Sequence, residues 1–130
     1  MAHILVVDDE RDIVTLIKFL LEMDGHTITE AFNGMEALQK LGLAPGDEVA
    51  PIQPALIILD VMMPVMDGHT TAGKLAADSR TRAIPLLVLT AKGRMRDLFE
   101  LSPNVAAYLE KPFDPKPMRE HIKGQSKTEK

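Results

Sequence analysis

Three aspartates in this 130-residue chain follow short apolar runs that have the pattern of buried β-strands. Asp8 and Asp9 come directly after Ile4–Val7, and Asp60 comes directly after Ala55–Leu59. Continuous runs of branched apolar residues are typical of parallel strands that are covered on both faces. The carboxyl ends of such strands lie at one edge of the sheet, where ligands bind. We therefore expect the three carboxylates to lie close together.

Two further apolar runs end beside side chains that suit a phosphoryl group. Thr90 follows residues 84–89, and Lys111 lies just beyond residues 105–109. A hydroxyl donates a hydrogen bond and an ammonium group neutralises negative charge, so both can hold phosphoryl oxygens. We expect both side chains at the same edge of the sheet as the carboxylates.

This set of residues predicts metal-assisted phosphoryl transfer. Neighbouring carboxylates repel one another unless a cation neutralises them, and a cluster of oxygen ligands alone favours Mg²⁺. A carboxylate beside Mg²⁺ and a lysine can attack phosphorus and form an acyl phosphate. We predict that Asp60 is the acceptor, because it ends the most buried strand alone and faces Asp8 and Asp9. Thr90 and Lys111 would each bind one phosphoryl oxygen.

Each of these residues also has an ordinary structural explanation. Asp9 could cap the first helix, and we assign Asp67 to capping of the third helix. A single threonine after a strand is usually a turn residue, and a single lysine is usually solvated. Capping does not readily explain five such residues at four strand ends.

Strand and helix patterns alternate five times along the chain. Besides the four runs above, residues 26–31 form a weaker strand pattern. Helical spacing of apolar residues predicts helices at about 10–23, 35–41, 67–77 (with Leu75 and Ala76 directed inward), 93–101 and from Pro115 onward, after Asp114 as cap. This order predicts an α/β fold, a doubly wound parallel sheet with helices on both faces. Residues 42–54 form a long loop.

Composition excludes several classes of function. The 15 basic and 19 acidic residues give a net charge of −4, which argues against broad nucleic-acid binding. The absence of cysteine excludes thiol nucleophiles and thiolate metal sites. The longest apolar stretch, residues 55–66, is interrupted by Asp60 and Pro64 and is too short to span a membrane. His3, His26, His69 and His121 have no ligand spacing, and a cytoplasmic location is the simplest expectation.

Four segments together resemble the receiver domain of two-component response regulators: ILVVDDE (4–10), LDVMMPVMDG (59–68), LTAK (89–92) and YLEKPF (108–113). The resemblance extends from residue 3 to about residue 122. It implies a CheY-like, flavodoxin-like (βα)5 fold with strand order 2-1-3-4-5. We accordingly expect a receiver domain at 1–123, including the extended loop 42–54, and a polar tail at 124–130. The chain would be either a stand-alone regulator or part of a longer protein.

The resemblance also implies a function. Asp60 would accept a phosphoryl group from a histidine kinase or a histidine phosphotransfer protein. Asp8, Asp9 and Asp60 would hold Mg²⁺ together with the backbone carbonyl of Met62. The domain would not be a classical enzyme, although it would assist its own phosphorylation and dephosphorylation. Its output would be altered binding to a downstream target protein, with no direct contact to nucleic acid or membrane.

The switch in this family pairs Thr90 with Tyr108, and the bond between Lys111 and Pro112 is expected to be cis. Phosphorylation adds about −1.5 to −2 charges and three acceptor oxygens. Thr90 could donate to the new group and move inward, and the ring of Tyr108 could fill the space that it leaves. Two packings of the protein would then be biased by one charged group.

Three alternatives compete with this interpretation. The domain could bind partners without being phosphorylated, although the complete set of acidic and phosphate-binding residues argues against it. Residues 68–75 nearly match the phosphate-binding loop of nucleotide-binding proteins, but Leu75 replaces the required hydroxyl. A phosphatase of the aspartyl-phosphate type needs a second acid two residues after the nucleophile, where Met62 stands.

Overall fold

Strands and helices alternate along the chain in a computed structural model that describes residues 2–44, 52–61, 63, 65–91, 105–111, 116 and 118–122. The elements within these residues are β1 (His3–Val7), α1 (Arg11–Met23), β2 (Thr27–Ala31), α2 (Gly34–Leu41), β3 (Leu56–Asp60), α3 (Gly68–Ala77), β4 (Leu86–Ala91) and β5 (Val105–Lys111). Residues 116 and 118–122 are also helical.

The five strands form one parallel sheet in the order β2-β1-β3-β4-β5. This order confirms the predicted flavodoxin-like topology. In the centre of the sheet Val7 pairs with Leu59, and Asp60 pairs with Leu89. The carboxyl ends of β1, β3 and β4 therefore lie side by side.

Two apolar clusters cover the two faces of the sheet. Leu5 and Val7 of β1 belong to one cluster, with Leu38 of α2 and Leu75 of α3. Alternate residues of β1 belong to the other cluster, which also contains side chains of α1 and of residues 118–122. All four residues Ile4–Val7 are buried, as the continuous apolar pattern predicts. The sheet is doubly wound, and its central strands lie between two layers of helix.

Side-chain hydrogen bonds cap the N-termini of two helices. Asn33 Oδ1 accepts from Glu36 N at 2.9 Å before α2, and Asp67 Oδ1 accepts from Thr70 N at 2.8 Å before α3. The capping role predicted for Asp67 is thus confirmed. The suggestion that Asp9 caps the first helix is wrong, because the N-cap of α1 is Glu10, which makes no side-chain capping bond.

The limits of β4 and β5 differ most from those predicted. Ile84 donates its N–H to Thr81 O at 3.0 Å in a turn, and Pro85 has no N–H, so the β4 ladder begins at Leu86. The ladder then continues through Ala91, which pairs with Lys111, so β5 is also longer than predicted.

On α3, Leu75 is directed inward as predicted, but the predicted burial of Ala76 is only partial. Residues 68, 71, 72 and 75 are buried, whereas Ala76 is half-buried. The same helix removes the nucleotide-binding alternative, since residues 68–74 are helical and do not form a loop around a phosphate.

Several predicted features lie outside the described residues: the helix at 93–101, Met62, Pro112, Asp114 with Pro115, part of the loop 42–54, and the tail 124–130. Among the helices that the structure does describe, none has the length and apolar character needed to cross a lipid bilayer.

Candidate functional site

The carboxylates of Asp8, Asp9 and Asp60 meet at the carboxyl edge of the sheet. One oxygen of each lies within 4.8 Å of the oxygens of the other two. Asp8 and Asp60 are buried and Asp9 is exposed. The pairing of β1 with β3 explains this meeting, because both strands end at the same level. The sequence prediction that these three residues lie together is therefore confirmed in its geometry.

Backbone contacts fix the position of Asp8. Its N–H donates to Ala31 O at 3.1 Å, which joins the ends of β1 and β2. Its Oδ1 accepts from Glu10 N at 2.9 Å, which shapes the turn into α1. The carboxylate is therefore held at the sheet edge by the chain on both sides of it.

The backbone that carries Asp60 is in close contact with Gly68. A Cβ placed on Gly68 would lie 2.6 Å from the carbonyl oxygen of Asp60 and 2.6 Å from the Cα of Val61. Gly68 N also donates to Val61 O at 2.8 Å, which closes the segment between β3 and α3. The sequence analysis missed this role and assigned Gly68 only to a helix start. Glycine was the available signal, since close backbone approach is one of its uses.

The carboxylate cluster suits Mg²⁺. This ion prefers octahedral oxygen ligands at about 2.0–2.1 Å, so adjacent ligands are about 3 Å apart and opposite ligands about 4 Å apart. The three oxygens already lie within 4.8 Å of each other, so a modest movement of the side chains would bring them around one ion. Two of the acids are buried, and a divalent cation would offset the repulsion between them.

Thr90 lies next to this cluster in the sheet. It is buried and follows Leu89, the residue that pairs with Asp60. In β5 the backbone of Tyr108 pairs with Val88 and that of Lys111 with Ala91. The side chains of Tyr108 and Lys111 lie outside the described residues. The structure thus brings together four predicted site residues, Asp8, Asp9, Asp60 and Thr90. It also gives the strand positions of Tyr108 and Lys111.

Val65, in the segment that follows Asp60, has an unusual backbone conformation. Its φ of 69° lies in the left-handed region, and its side chain is 78% exposed. A β-branched residue with positive φ is strained, because its side chain clashes with the backbone. Met63 and Met66 on either side pack against the core, so the segment is anchored around this strained position.

We expect Val65→Asn to raise the free energy of unfolding by about 1 kcal/mol, because asparagine tolerates the left-handed region. Val65→Thr is the matched control, since threonine is also β-branched and should retain the strain. Urea unfolding of both variants checks the expectation. Equal stabilities of the two variants would contradict it.

Two histidine side chains, His3 and His26, make contacts at the opposite edge of the sheet. His3 Nε2 lies 2.6 Å from Thr29 Oγ1, and His26 Nδ1 accepts from Ala2 N at 3.0 Å. Burial lowers the pKa of His26, assisted by the positive N-terminus and opposed by Asp24. Neither residue contacts the carboxylate cluster, which agrees with the packing role predicted for them.

The sequence matches a known protein family over nearly its whole length. The family described as the response regulator receiver domain matches residues 4–123. This chain is a member of that family. The match includes the segment carrying Asp8, Asp9, Asp60, Thr90 and Lys111, so the candidate site lies inside the recognised domain.

Curated relatives of this receiver domain are response regulators. It is 36% identical over 124 residues to the DNA-binding dual master transcriptional regulator RpaA of Synechocystis, covering 95% of this chain and 48% of RpaA. It is 37% identical over 121 residues to the alkaline phosphatase synthesis transcriptional regulatory protein PhoP of Bacillus subtilis, covering 92% of this chain and 46% of PhoP. The receiver domain thus spans about half the length of these relatives.

A solved structure agrees with this assignment. The receiver domain is similar to the response regulator TrrA of Thermotoga maritima, which was crystallised in complex with Mg²⁺ and BeF. The TM-score is 0.75 at 32% identity, and the match covers 96% of this chain and 99% of that one.

Proposed function

We propose that this receiver domain is a phosphorylation-activated switch in which Asp60 accepts the phosphoryl group. The observation that carries the proposal is the meeting of three carboxylate oxygens within 4.8 Å at the end of the central strands. Asp60 is the best-supported acceptor because β3 lies between β1 and β4. The acidic pair therefore flanks it on one side and Thr90 on the other.

Mg²⁺ is the cofactor that these residues fit. Asp8, Asp9 and Asp60 would hold it, together with the backbone carbonyl of Met62. When bound, the ion neutralises carboxylate and phosphoryl charge. The presence of Mg²⁺ and BeF, a phosphoryl analogue, in the complex of the related TrrA supports this choice.

The proposed donor is the phosphohistidine of a histidine kinase or a histidine phosphotransfer protein. An oxygen of Asp60 forms a bond to phosphorus as the P–N bond breaks, and the electron pair of that bond returns to the imidazole. Thr90 and Lys111 each bind one phosphoryl oxygen and offset the charge that develops on it. Water later cleaves the acyl phosphate, which restores the carboxylate and releases inorganic phosphate. The domain would therefore assist only its own phosphorylation and dephosphorylation.

Phosphorylation would shift the domain between two packings. The new group adds about −1.5 to −2 charges beside the Thr90 hydroxyl, which can turn inward to donate to it. The ring of Tyr108 would then occupy the space released next to β4. Pairing of Tyr108 with Val88 in the β4–β5 ladder supports this coupling, since it joins the two strands directly.

The output we propose is a change in binding to a downstream protein. The net charge of −4 supports protein contact over direct DNA contact by this domain, whatever the rest of a longer regulator binds. We further propose a domain at residues 1–123 with a polar tail at 124–130, a cis bond before Pro112, and a cytoplasmic location.

The direct test is incubation with acetyl phosphate and Mg²⁺, followed by intact mass spectrometry. We expect the mass of one phosphoryl group to be added, and we expect EDTA to prevent the addition. Addition that persists in EDTA would contradict the role of the metal. No addition under either condition would favour a binding module that works without phosphorylation.

Asp8→Asn should weaken Mg²⁺ binding at least about tenfold, because one carboxylate charge close to the ion is lost. Glu22→Gln is the matched control, since it removes one exposed charge from α1, away from the sheet edge. Isothermal titration calorimetry with MgCl₂ measures both. Equal affinities for the two variants would exclude Asp8 as a ligand.

A further inference from the structure

We propose that the positive charge of Arg11 draws dianionic phosphodonors to the acidic site. Stacking on Phe32 holds the Arg11 side chain in place. The inference rests on the proposed function and adds a preference among donors. Its starting observation is a stacked pair: the guanidinium carbon of Arg11 lies 4.1 Å from the centroid of the Phe32 ring. Arg11 is exposed, so its charge is accessible to a molecule approaching from solvent.

The pair lies at the same sheet edge as the carboxylates. Arg11 is the first residue of α1 and comes two positions after Asp9. Phe32 directly follows Ala31, whose carbonyl oxygen accepts the N–H of Asp8 at 3.1 Å. The stacked pair therefore joins the segment after β1 to the segment after β2, on the β2 side of the site.

The Phe32 ring is a fixed platform. The ring is half-buried and packs against one of the core clusters. Its backbone N–H donates to Glu36 Oε1 at 3.2 Å, and Glu36 Oε2 accepts from Asn33 Nδ2 at 3.3 Å. Stacking on such a ring limits the rotamers of an arginine and keeps its charge at one place.

The charge of Arg11 is not neutralised by an ion pair within the described part of the chain. Glu36 makes the two hydrogen bonds just given, and the contact that the structure shows for the Arg11 guanidinium is with the Phe32 ring. A full positive charge thus remains at the first residue of α1, two positions after Asp9. An approaching phosphoryl donor is an anion and is repelled by that cluster, so a nearby cation lowers the barrier to its approach.

The attraction grows with the charge of the donor. Acetyl phosphate is a dianion near neutral pH, whereas phosphoramidate is mostly a monoanion. In both reactions an oxygen of Asp60 forms the new bond to phosphorus. Acetate leaves from acetyl phosphate with the electron pair of the P–O bond, and the already protonated nitrogen leaves from phosphoramidate as ammonia. Arg11 should therefore favour acetyl phosphate, and should slightly oppose binding of Mg²⁺.

The test compares Arg11→Gln, Arg11→Lys and Phe32→Leu with the wild-type chain. For Arg11→Gln we expect the half-saturating acetyl phosphate concentration to rise about threefold in low salt, and that of phosphoramidate less than twofold. The affinity of Arg11→Gln for Mg²⁺ should rise slightly while its use of acetyl phosphate weakens. A merely structural role of Arg11 would not give these opposite effects. Arg11→Lys should remain close to wild type, and Phe32→Leu should lie between. High salt should reduce every difference.

Equal effects of Arg11→Gln on both donors, or no effect on either, would overturn the role of Arg11 while leaving the proposed function intact. An Arg11→Lys variant as impaired as Arg11→Gln would also overturn it, because the positive charge would then not matter. If neither donor phosphorylates the wild-type chain, the proposed function fails and the inference fails with it.

Discussion

Asp60→Asn is expected to abolish phosphorylation by acetyl phosphate and Mg²⁺. Asparagine has nearly the same shape as aspartate, but its amide is not a nucleophile at phosphorus and brings no negative charge to the metal. The side chain is buried at the end of β3, beside the strand that carries Thr90. Intact mass spectrometry should find no added phosphoryl group in this variant.

Asp67→Asn is the matched control for this experiment. Asp67 is the acid that follows Asp60 in the sequence, and its carboxylate caps α3. Asparagine caps helices about as well as aspartate, so the fold should be kept. We expect phosphorylation of this variant at close to the wild-type level. Addition of a phosphoryl group to Asp60→Asn at the wild-type rate would show that another residue is the acceptor.

Asp60→Asn should also stabilise the fold in the absence of Mg²⁺. Asp60 is one of three carboxylates within 4.8 Å, and removing its charge relieves repulsion between partly desolvated groups. We expect Asp60→Asn to unfold at higher urea concentration than the wild-type chain in EDTA, and to lose this advantage in Mg²⁺. A functional site that costs stability is a common feature of proteins.

Alanine is expected to destabilise the fold at Gly68 but not at Gly73, the other glycine of α3. The new Cβ would lie 2.6 Å from two backbone atoms of Asp60 and Val61, which cannot rotate away as a flexible side chain would. Inserting atoms into packed structure costs about 1–3 kcal/mol, and here the backbone itself must shift. Phosphorylation should slow as well, because the displaced backbone carries the acceptor.

Gly73→Ala in the same helix provides the control. A Cβ at Gly73 meets nothing within 4 Å. Alanine is favoured over glycine inside a helix by about 1 kcal/mol, so this variant should be more stable than the wild-type chain. Thermal unfolding and the initial rate of phosphorylation measure both variants. A Gly68→Ala variant as stable as Gly73→Ala would contradict the close contact described between α3 and β3.

The central part of the fold follows from local sequence patterns. The runs ending at Val7 and Leu59 are apolar at every position, which fits strands between two helical layers, and the acids directly after them had to lie at the carboxyl edge. The meeting of Asp8, Asp9 and Asp60 was predicted for this reason. The resemblance to receiver domains added the strand order and the roles of residues that periodicity alone does not assign.

Several features of the structure were not predicted from the sequence. The stack of Arg11 on Phe32 joins residues from two separate strand ends, and neither residue type indicates the other. The left-handed backbone of Val65 contradicts the preference of a β-branched residue, so only the tertiary structure reveals it. Glu10 was not predicted as the N-cap of α1, because Asp9 is the better capping residue by type, while the carboxylate of Asp9 lies in the acidic cluster.

Trapping the acyl phosphate is the most direct test of the central claim that Asp60 alone among the three acids accepts the phosphoryl group. Borohydride reduces an aspartyl phosphate to homoserine, which peptide mass spectrometry can locate. After phosphorylation with acetyl phosphate and Mg²⁺, we predict homoserine at position 60 and unchanged aspartate at positions 8 and 9. Homoserine at position 8 or 9, or at none of the three, would contradict the account.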